Sequence, residues 1–270
     1  MYKLIASDID GTLHDDKGNL SNENLLAIQK LHEMGIQFVP ASGRTLSEMP
    51  GILSIPQIRY VVYSNGSAIY DKETDTQTYM MCISKEVAKD VFKLLFSCEC
   101  YVVVHHGGKT YERKYADFDE LKKYNVSPVI YNLLETGGVQ PDNFEEFVMT
   151  LDNIESVAVF FASKEDEEHC KTVLSKDNRL FFAAGWELNM EIFGKDAGKE
   201  KALQKLLDML GIDMEDVVYL GDNENDVEML KMAGLGLCAG NGSENAKKAA
   251  DKVICTNNEH VLEYTMNNFL

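Results

Sequence analysis

The 270-residue chain is long enough for one large domain or two smaller ones, and a core of that size needs no disulfide or metal to hold it. Its 44 acidic residues outnumber 26 basic ones, and the net charge of −18 argues against nucleic acid or an anionic membrane as partner. No apolar run approaches the ~20 residues of a membrane span, and acidic residues come too early for a signal peptide. We therefore expect a cytoplasmic globular protein.

Six cysteines are scattered along the chain, mostly in apolar surroundings. This pattern is typical of reduced core cysteines in a reducing compartment. The one close pair, Cys98 and Cys100, lacks the second pair of ligands that zinc sites show. We expect neither a disulfide framework nor a zinc site.

The first part of the chain alternates buried strands with helices. Apolar runs predict strands at residues 3–7, 36–39 and 60–63. Ser21 is a suitable N-cap for a helix that ends at Gly35, and a short helix is expected at 45–53. The order is β-α-β-α-β.

The middle of the chain, residues 83–186, has a different pattern. It contains an amphipathic helix with Val87, Val91 and Leu95 on one face, a strand at 101–104 and a long polar stretch. Further elements follow: a helix near 144–151, a strand at 156–162, another helix, and a strand at 180–182. We expect an inserted, smaller α/β domain.

The last part returns to the first pattern. Helices are predicted at 199–210, 224–232, 243–250 and 259–268, and strands at 217–220, 235–238 and 252–254. Apolar strands alternating with amphipathic helices predict a doubly wound parallel sheet. The predicted organisation is an α/β core at 1–82 and 187–270 and an inserted α/β domain at 83–186.

Small polar or acidic residues follow four of the predicted core strands. These segments are 8–10, 42–44, 64–66 and 221–226. Each alone reads as a turn, but ligands of open α/β sheets bind beyond the carboxyl ends of the strands. Four such ends at one edge of a sheet predict one site.

The residues at this edge suit phosphoryl transfer. Asp8 is suited to attack phosphorus, and Asp10 to protonate the leaving alkoxide and then deprotonate water. Ser42 and the Gly43 amide are suited to hold phosphoryl oxygens, and Asp222 to complete a metal site. Adjacent carboxylates repel each other and call for a hard cation such as Mg²⁺.

A phosphate site in so acidic a chain also needs a local positive charge. Lys199, at the predicted start of a helix, supplies one together with unpaired helix amides. A lone lysine is more often a solvated surface residue, so its role depends on the other strand ends.

Four motifs in this order carry a family resemblance. They are D-x-D-G-T at 8–12, S-G-R at 42–44, K-x-x-A-L at 199–203 and G-D-x-x-N-D at 221–226. With them the chain resembles the phosphatases of the haloacid dehalogenase superfamily, specifically the Cof-type branch with a large α/β cap inserted between the second and third motifs. The resemblance covers essentially the whole chain and implies that 83–186 is the cap domain.

The resemblance implies a role for each matching residue. Asp8 would be the nucleophile and Asp10 the acid/base. Phosphate would be bound by Ser42, Gly43, Lys199 and Asn225, and Mg²⁺ by Asp8, the Asp10 carbonyl, Asp222 and Asp226. Asp226 would lie beside the metal or hold Lys199.

Five further residues are candidates for contact with the substrate. Arg44 is placed to reach the leaving group, and Asn65 follows the third strand. His105 and His106 follow a strand of the insert, where an exposed loop is the simpler interpretation. Trp186 lies at the predicted hinge, where packing is the simpler interpretation.

The leading interpretation is a Mg²⁺-dependent phosphomonoesterase that acts on small phosphorylated metabolites, such as sugar phosphates, through an aspartyl-phosphate intermediate. A phosphomutase that uses the same phosphoaspartate is an alternative. A phosphoacceptor signalling module is a third, although such modules need about half this length and lack the Asp8-x-Asp10 pair.

Overall fold

A computed structural model describes residues 2–79, 81–183 and 187–270. The chain divides into two compact units. The first comprises Met1–Gly43, Gly51–Thr78 and Gly198–Leu270, and the second comprises Arg44–Pro50 and Tyr79–Ala197. The predicted limits of the inserted domain, 83 and 186, lie inside the longer segment of the second unit.

The strands, in chain order, are β1 (Leu4–Ser7), β2 (Gln37–Pro40), β3 (Tyr60–Tyr63), β4 (Ala68–Asp71), β5 (Thr76–Tyr79), β6 (Cys100–His106), β7 (Lys109–Glu112), β8 (Gly138–Val139), β9 (Ser156–Phe161), β10 (Leu180–Ala183), β11 (Asn189–Gly194), β12 (Val217–Gly221), β13 (Leu235–Cys238) and β14 (Lys252–Val253). The helices are α1 (Asn22–Glu33), α2 (Pro50–Leu53), α3 (Lys85–Leu95), α4 (Phe118–Lys122), α5 (Pro128–Gly137), α6 (Phe144–Val148), α7 (Lys164–Leu174), α8 (Lys199–Leu210), α9 (Val227–Met232), α10 (Glu244–Ala249) and α11 (Val261–Phe269). None of the described helices is long and apolar enough to cross a membrane.

The first unit is built on a parallel sheet with the order β14-β13-β12-β1-β2. A parallel bridge between Ala41 and Val62 continues this arrangement from β2 to β3. The four residues of β1 are fully buried, which explains the uninterrupted apolar run of that strand. The predicted doubly wound α/β core is confirmed.

Local sequence signals fix the helices beside this sheet. The Ser21 side chain accepts a hydrogen bond from the Asn24 amide and caps α1, as predicted. Beyond the end of that helix, Gly35 has a φ of +75°, which favours glycine. Buried leucines on one face of α8 anchor it in the core.

The second unit contains a sheet with the order β10-β11-β9-β6-β7-β8, in which all pairs except β7-β8 are antiparallel. One face packs on α3 and α7 through residues such as Val102 and Val159. The other face carries a smaller apolar cluster that includes Val103, Phe160 and Leu134 of α5. The unit is thus an α/β layer structure of its own.

Several elements were missed in the sequence. The stretch expected to be long and polar contains β7, α4, α5 and β8, and β11 lies where none was expected. The predicted helix at 45–53 is a single turn at Leu46–Glu48 followed by α2. The predicted core strands at 60–63 and 235–238 coincide with the observed ones.

Candidate active site

Asp8 follows β1 directly and extends the parallel pairing of β1 with β12 by one hydrogen bond. Its amide donates to the Leu220 carbonyl at 2.8 Å, which places Asp8 beside the carboxyl end of β12. The residue is only 6% exposed, although it carries a carboxylate. The sheet therefore holds an acidic side chain at its edge with little access to water.

A tight turn follows Asp8 and brings two motifs together. Gly11 has a φ of +78°, and a Cβ atom there would lie 2.5 Å from Asp222 Oδ2. Thr12 Oγ1 donates to Asp222 Oδ1 at 2.7 Å, and Asn241 Nδ2 donates to the Gly11 carbonyl at 2.7 Å. Glycine is required because the turn passes directly against the Asp222 carboxylate.

Lys199 begins α8 and is almost fully buried. Its Nζ lies 2.5 Å from Asp8 Oδ1 and 2.8 Å from Asp226 Oδ1. Gly66, with a φ of +86°, lies against the backbone of Gly198, so that a Cβ atom would overlap it. This close approach fixes the start of α8 and with it the ammonium group.

Asp226 is fully buried and accepts four hydrogen bonds. Oδ2 accepts from the amides of Asp222 and Asn223, each at 3.0 Å. Oδ1 accepts from Lys199 Nζ and from Tyr219 Oη at 2.7 Å. Of the two predicted roles, the structure shows Asp226 in contact with Lys199.

The carboxylates and the ammonium group determine each other's ionisation. Burial raises the pKa of Asp8 well above its ordinary value, and the charges of Asp226 and Asp222 raise it further, against the opposing effect of Lys199. Burial alone would lower the pKa of Lys199, but the charges of Asp226 and Asp8 raise it above its ordinary value. Burial raises the pKa of Asp222 to about 6.

The donor set suits a hard divalent cation. Asp8, Asp222 and Asp226 each offer an oxygen, and these atoms lie within 4.8 Å of one another. Both oxygens of Asp226 already accept two hydrogen bonds each, so Asp8 and Asp222 are the better ligands. Carboxylate oxygens with remaining positions for water or phosphate are typical of Mg²⁺ sites.

The second and third strand ends are also joined. Ser42 is buried, its amide donates to the Val62 carbonyl, and its own carbonyl accepts from the Asn65 amide at 3.0 Å. Asn65 has a φ of +51°, and its Oδ1 accepts from Asn225 Nδ2 at 2.9 Å. A Cβ atom on Gly43 would lie 3.2 Å from the Asn65 amide group. The segments at 42–43, 65 and 225 are therefore neighbours, as expected for one site.

Asp10 differs from Asp8 in its environment. The side chain of Asp10 is exposed, whereas that of Asp8 is buried. Asp10 is not a member of the acidic cluster formed by the three buried or partly buried aspartates. The two carboxylates of the motif therefore differ in access to water, and exposure suits a group that exchanges protons with it.

Three of the predicted substrate residues belong to the second unit. Arg44 Nη1 donates to the Glu48 carbonyl at 3.1 Å. His105 Nδ1 lies 2.8 Å from Ser156 Oγ, and His106 Nδ1 lies 3.4 Å from the Asn153 carbonyl. Both histidines end β6 rather than lying in a loop. Trp186 lies outside the described residues.

Two residues of the site were not assigned roles from the sequence. Thr12 was read only as part of the first motif, although its hydroxyl orients Asp222. Tyr219 looks like a core residue of an apolar strand, but its hydroxyl contacts Asp226. The available sequence signal was the hydroxyl group of this tyrosine, which lies two residues before Gly221.

The chain matches the model of a known protein family. The model for haloacid dehalogenase-like hydrolases matches residues 5–266, which is nearly the whole chain.

Individual relatives match over similar lengths. The phosphatase YwpJ of Bacillus subtilis is 30% identical over 287 residues, covering 99% of this chain and all of the relative. The 5-amino-6-(5-phospho-D-ribitylamino)uracil phosphatase YcsE of the same organism is 27% identical, covering 95% of this chain and 91% of its own. A solved structure of a haloacid dehalogenase-like hydrolase from B. subtilis superposes with a TM-score of 0.81 at 28% identity, covering 99% of this chain and 100% of that chain.

Proposed function

Because the chain belongs to the haloacid dehalogenase-like hydrolases and is a phosphatase of that family, we propose that it is a Mg²⁺-dependent phosphomonoesterase acting on small phosphorylated metabolites. The observation that carries this proposal is the buried contact of Lys199 with Asp8 and Asp226 beside Asp222. It brings the proposed nucleophile, a positive charge and the proposed metal ligands together at one edge of the sheet.

In the proposed reaction a carboxylate oxygen of Asp8 attacks phosphorus, and the bond from phosphorus to the leaving-group oxygen breaks. Asp10 gives its proton to that oxygen, so the alcohol departs and Asp8 carries the phosphoryl group. Asp10 then takes a proton from water, whose oxygen attacks phosphorus. Inorganic phosphate leaves, and the Asp8 carboxylate is regenerated.

The other residues act on charge and position. Lys199, Ser42 and the Gly43 amide would hold the phosphoryl oxygens, with Asn225 beside them. Asp8, Asp222 and the Asp10 carbonyl would bind Mg²⁺, and Asp226 would hold Lys199 and lie beside the ion. Bound Mg²⁺ supplies positive charge that stabilises the phosphoryl group in the transition state.

We also propose that the inserted domain, predicted at 83–186 and contained in the second unit, serves as a cap that selects the organic part of the substrate, with the first unit as catalytic core. Sugar or sugar-alcohol phosphates are the proposed substrate class. The name of the relative YcsE supports this class, since its substrate carries a phosphorylated ribityl chain. Arg44, Asn65, His105, His106 and Trp186 remain candidates for substrate contact.

A phosphate-release assay over sugar phosphates, nucleotides and an aryl phosphate, with and without Mg²⁺, tests the proposal. Asp8→Asn should abolish release, because it removes the nucleophile, and Asp10→Asn should slow it about 10²–10⁴-fold. Phosphate release that survives Asp8→Asn would rule out the mechanism. Transfer of phosphate to a second position of the sugar, without release, would instead identify a phosphomutase.

A further inference from the structure

Cys98 and Cys170 bring their sulfur atoms into contact within the second unit. The two Sγ atoms lie 3.4 Å apart, although 72 positions separate the residues along the chain. At this distance one thiol donates a weak hydrogen bond to the other. The close pair in the sequence is Cys98 and Cys100, but the fold places Cys98 against Cys170.

Regular structure holds both residues in place. Cys98 lies in the turn after α3, where its amide donates to the Leu95 carbonyl and its carbonyl accepts from the Cys100 amide, each at 3.1 Å. Cys170 lies on α7, and the Ser163 side chain caps the start of that helix. The contact therefore joins two short side chains on a fixed backbone.

The two thiols differ in their access to solvent. Cys98 is half-buried and lines a surface cavity of about 770 Å³ together with residues of α7 such as His169 and Thr172. Cys170 is fully buried. Burial raises the pKa of the Cys170 thiol, and its hydrogen bond with Cys98 raises that pKa further. A small oxidant in solution therefore reaches Cys98, whereas Cys170 stays protonated and reaches its neighbour.

Cys100 is a nearby thiol with a different partner. It is buried, and its Sγ donates to the Leu95 carbonyl at 3.2 Å. Its sulfur is thus bound to the turn in which it lies. Cys100 therefore serves as the matched control for a reaction between the other two thiols.

We propose that Cys98 and Cys170 form a disulfide bond when hydrogen peroxide or another hydroperoxide oxidises the protein. A disulfide needs a sulfur–sulfur distance of about 2.05 Å, so the two sulfurs must approach by about 1.4 Å from their present contact. Small rotations of the two side chains supply this displacement. The inference is independent of the proposed phosphomonoesterase function, because both residues lie in the second unit.

The proposed reaction has two steps. The Cys98 thiolate attacks one peroxide oxygen, the oxygen–oxygen bond breaks, and the departing hydroxide takes up a proton and leaves as water. Cys98 then carries a sulfenic acid. The Cys170 sulfur attacks the Cys98 sulfur, the sulfur–oxygen bond breaks, and hydroxide leaves as water with the Cys170 proton. Two thiols are thereby oxidised to one disulfide, and one hydrogen peroxide is reduced to two waters.

The bond would tie the turn after α3 to α7. It would also enclose β6, β7, β8 and β9 in one covalent loop. Closing a loop of this length restricts the unfolded chain more than the folded one, so the oxidised second unit would be the more stable form.

Peptide mapping of the folded, full-length protein after treatment with hydrogen peroxide tests the inference. Remaining thiols are blocked with iodoacetamide, and the protein is digested without reduction by trypsin and by a protease that cleaves after glutamate. Glu99 lies between Cys98 and Cys100, so this digestion separates their peptides.

The expected product is a linked pair of peptides that contain Cys98 and Cys170. It should be lighter by two hydrogen atoms than the two reduced peptides and should disappear after dithiothreitol treatment. It should exceed any other linked pair about tenfold or more, because these two sulfurs are already in contact. Non-reducing electrophoresis should show that the link lies within one chain.

Three variants separate the roles of the thiols. Cys100→Ser should form the linked pair as wild type does. Cys170→Ser should instead accumulate sulfenic acid at Cys98, which dimedone traps. Cys98→Ser should leave Cys170 unmodified at the same peroxide dose, because the accessible thiol that starts the reaction is gone. The wild-type map needs no variant, so the inference stays testable even where a variant does not fold.

A dominant link between any other pair of cysteines, or between two chains, would overturn the inference. Addition of oxygen to Cys98 of the wild type without a link would overturn it as well. Oxidation that appears first on Cys170 would have the same consequence, since Cys98 must react first.

Discussion

Thr12 Oγ1 donates a 2.7 Å hydrogen bond to Asp222 Oδ1 and so joins the turn after β1 to the loop after β12. Thr12 is fully buried, and Asp222 is partly buried. The hydroxyl therefore fixes the orientation of one carboxylate proposed to bind Mg²⁺.

Thr12→Val should weaken Mg²⁺ binding about 10–100-fold, because the variant keeps the shape of the side chain but no longer orients the ligand. A Mg²⁺ titration of phosphate release measures the change. Thr12→Ser retains the hydroxyl and should stay close to wild type. An unchanged half-saturating Mg²⁺ concentration in Thr12→Val would show that Asp222 does not need this bond.

Tyr219→Phe should lower the free energy of unfolding by about 1.5–3 kcal/mol, because Asp226 loses one of its four donors in a buried site. Urea denaturation followed by circular dichroism gives this value. Tyr264→Phe, at an exposed position on α11, is the control and should have little effect. Equal stability of the two variants would contradict a role for the Tyr219 hydroxyl.

Gly66→Ala should destabilise the protein by about 2–4 kcal/mol, since it combines an unfavourable positive φ with overlap of Cβ and the Gly198 backbone. Gly18→Ala is the matched control, because Gly18 has a φ of +79° and open space around it. That control should cost about 1–2 kcal/mol. Denaturant unfolding of both variants separates steric overlap from backbone strain, and similar values would argue against the close approach.

The stability conferred by Glu112 should depend on pH. Glu112 is fully buried, accepts from Tyr101 Oη at 2.7 Å and from Gln140 Nε2 at 3.2 Å, and burial raises its pKa. The folded state therefore binds a proton more tightly than the unfolded state, so this group stabilises most at low pH and its contribution falls as the pH rises.

Glu112→Gln does not titrate, so wild type should gain stability relative to this variant between pH 7 and pH 5. Urea denaturation at the two pH values measures the difference. The exposed Glu145→Gln on α6 should show a much smaller change. If Glu112→Gln instead gained stability relative to wild type between pH 7 and pH 5, the prediction would be wrong.

The fold of the core could be predicted because its signals are local. An apolar run such as β3 and a helix with an apolar face such as α8 show their type within a few residues. The elements of the second unit were harder because β7 has a single apolar residue, Tyr111, and β11 is short and contains Asn189 and Glu191. The pairing that makes them strands joins residues far apart in the chain.

The distinction between local signals and contacts over long sequence distances also applies to the site. Asp8 and Lys199 were identified by motif, and their contact joins residues 191 positions apart. The motif gave no reason to expect that Asp226 would accept four hydrogen bonds. Such properties depend on burial and on neighbours from other strands, which a single sequence does not specify.

The segment Arg44–Pro50 has a consequence for the modularity of the insert. Thr45 Oγ1 lies 3.1 Å from Thr110 Oγ1, and the Leu46 side chain lies against Gly108. Excision of Tyr79–Ala197 would therefore leave a seven-residue stub of the second unit, Arg44–Pro50, with a buried leucine and threonine uncovered. An exchange of the insert between relatives would have to replace this stub as well, so recombination at a single pair of breakpoints would yield a mismatched chimera.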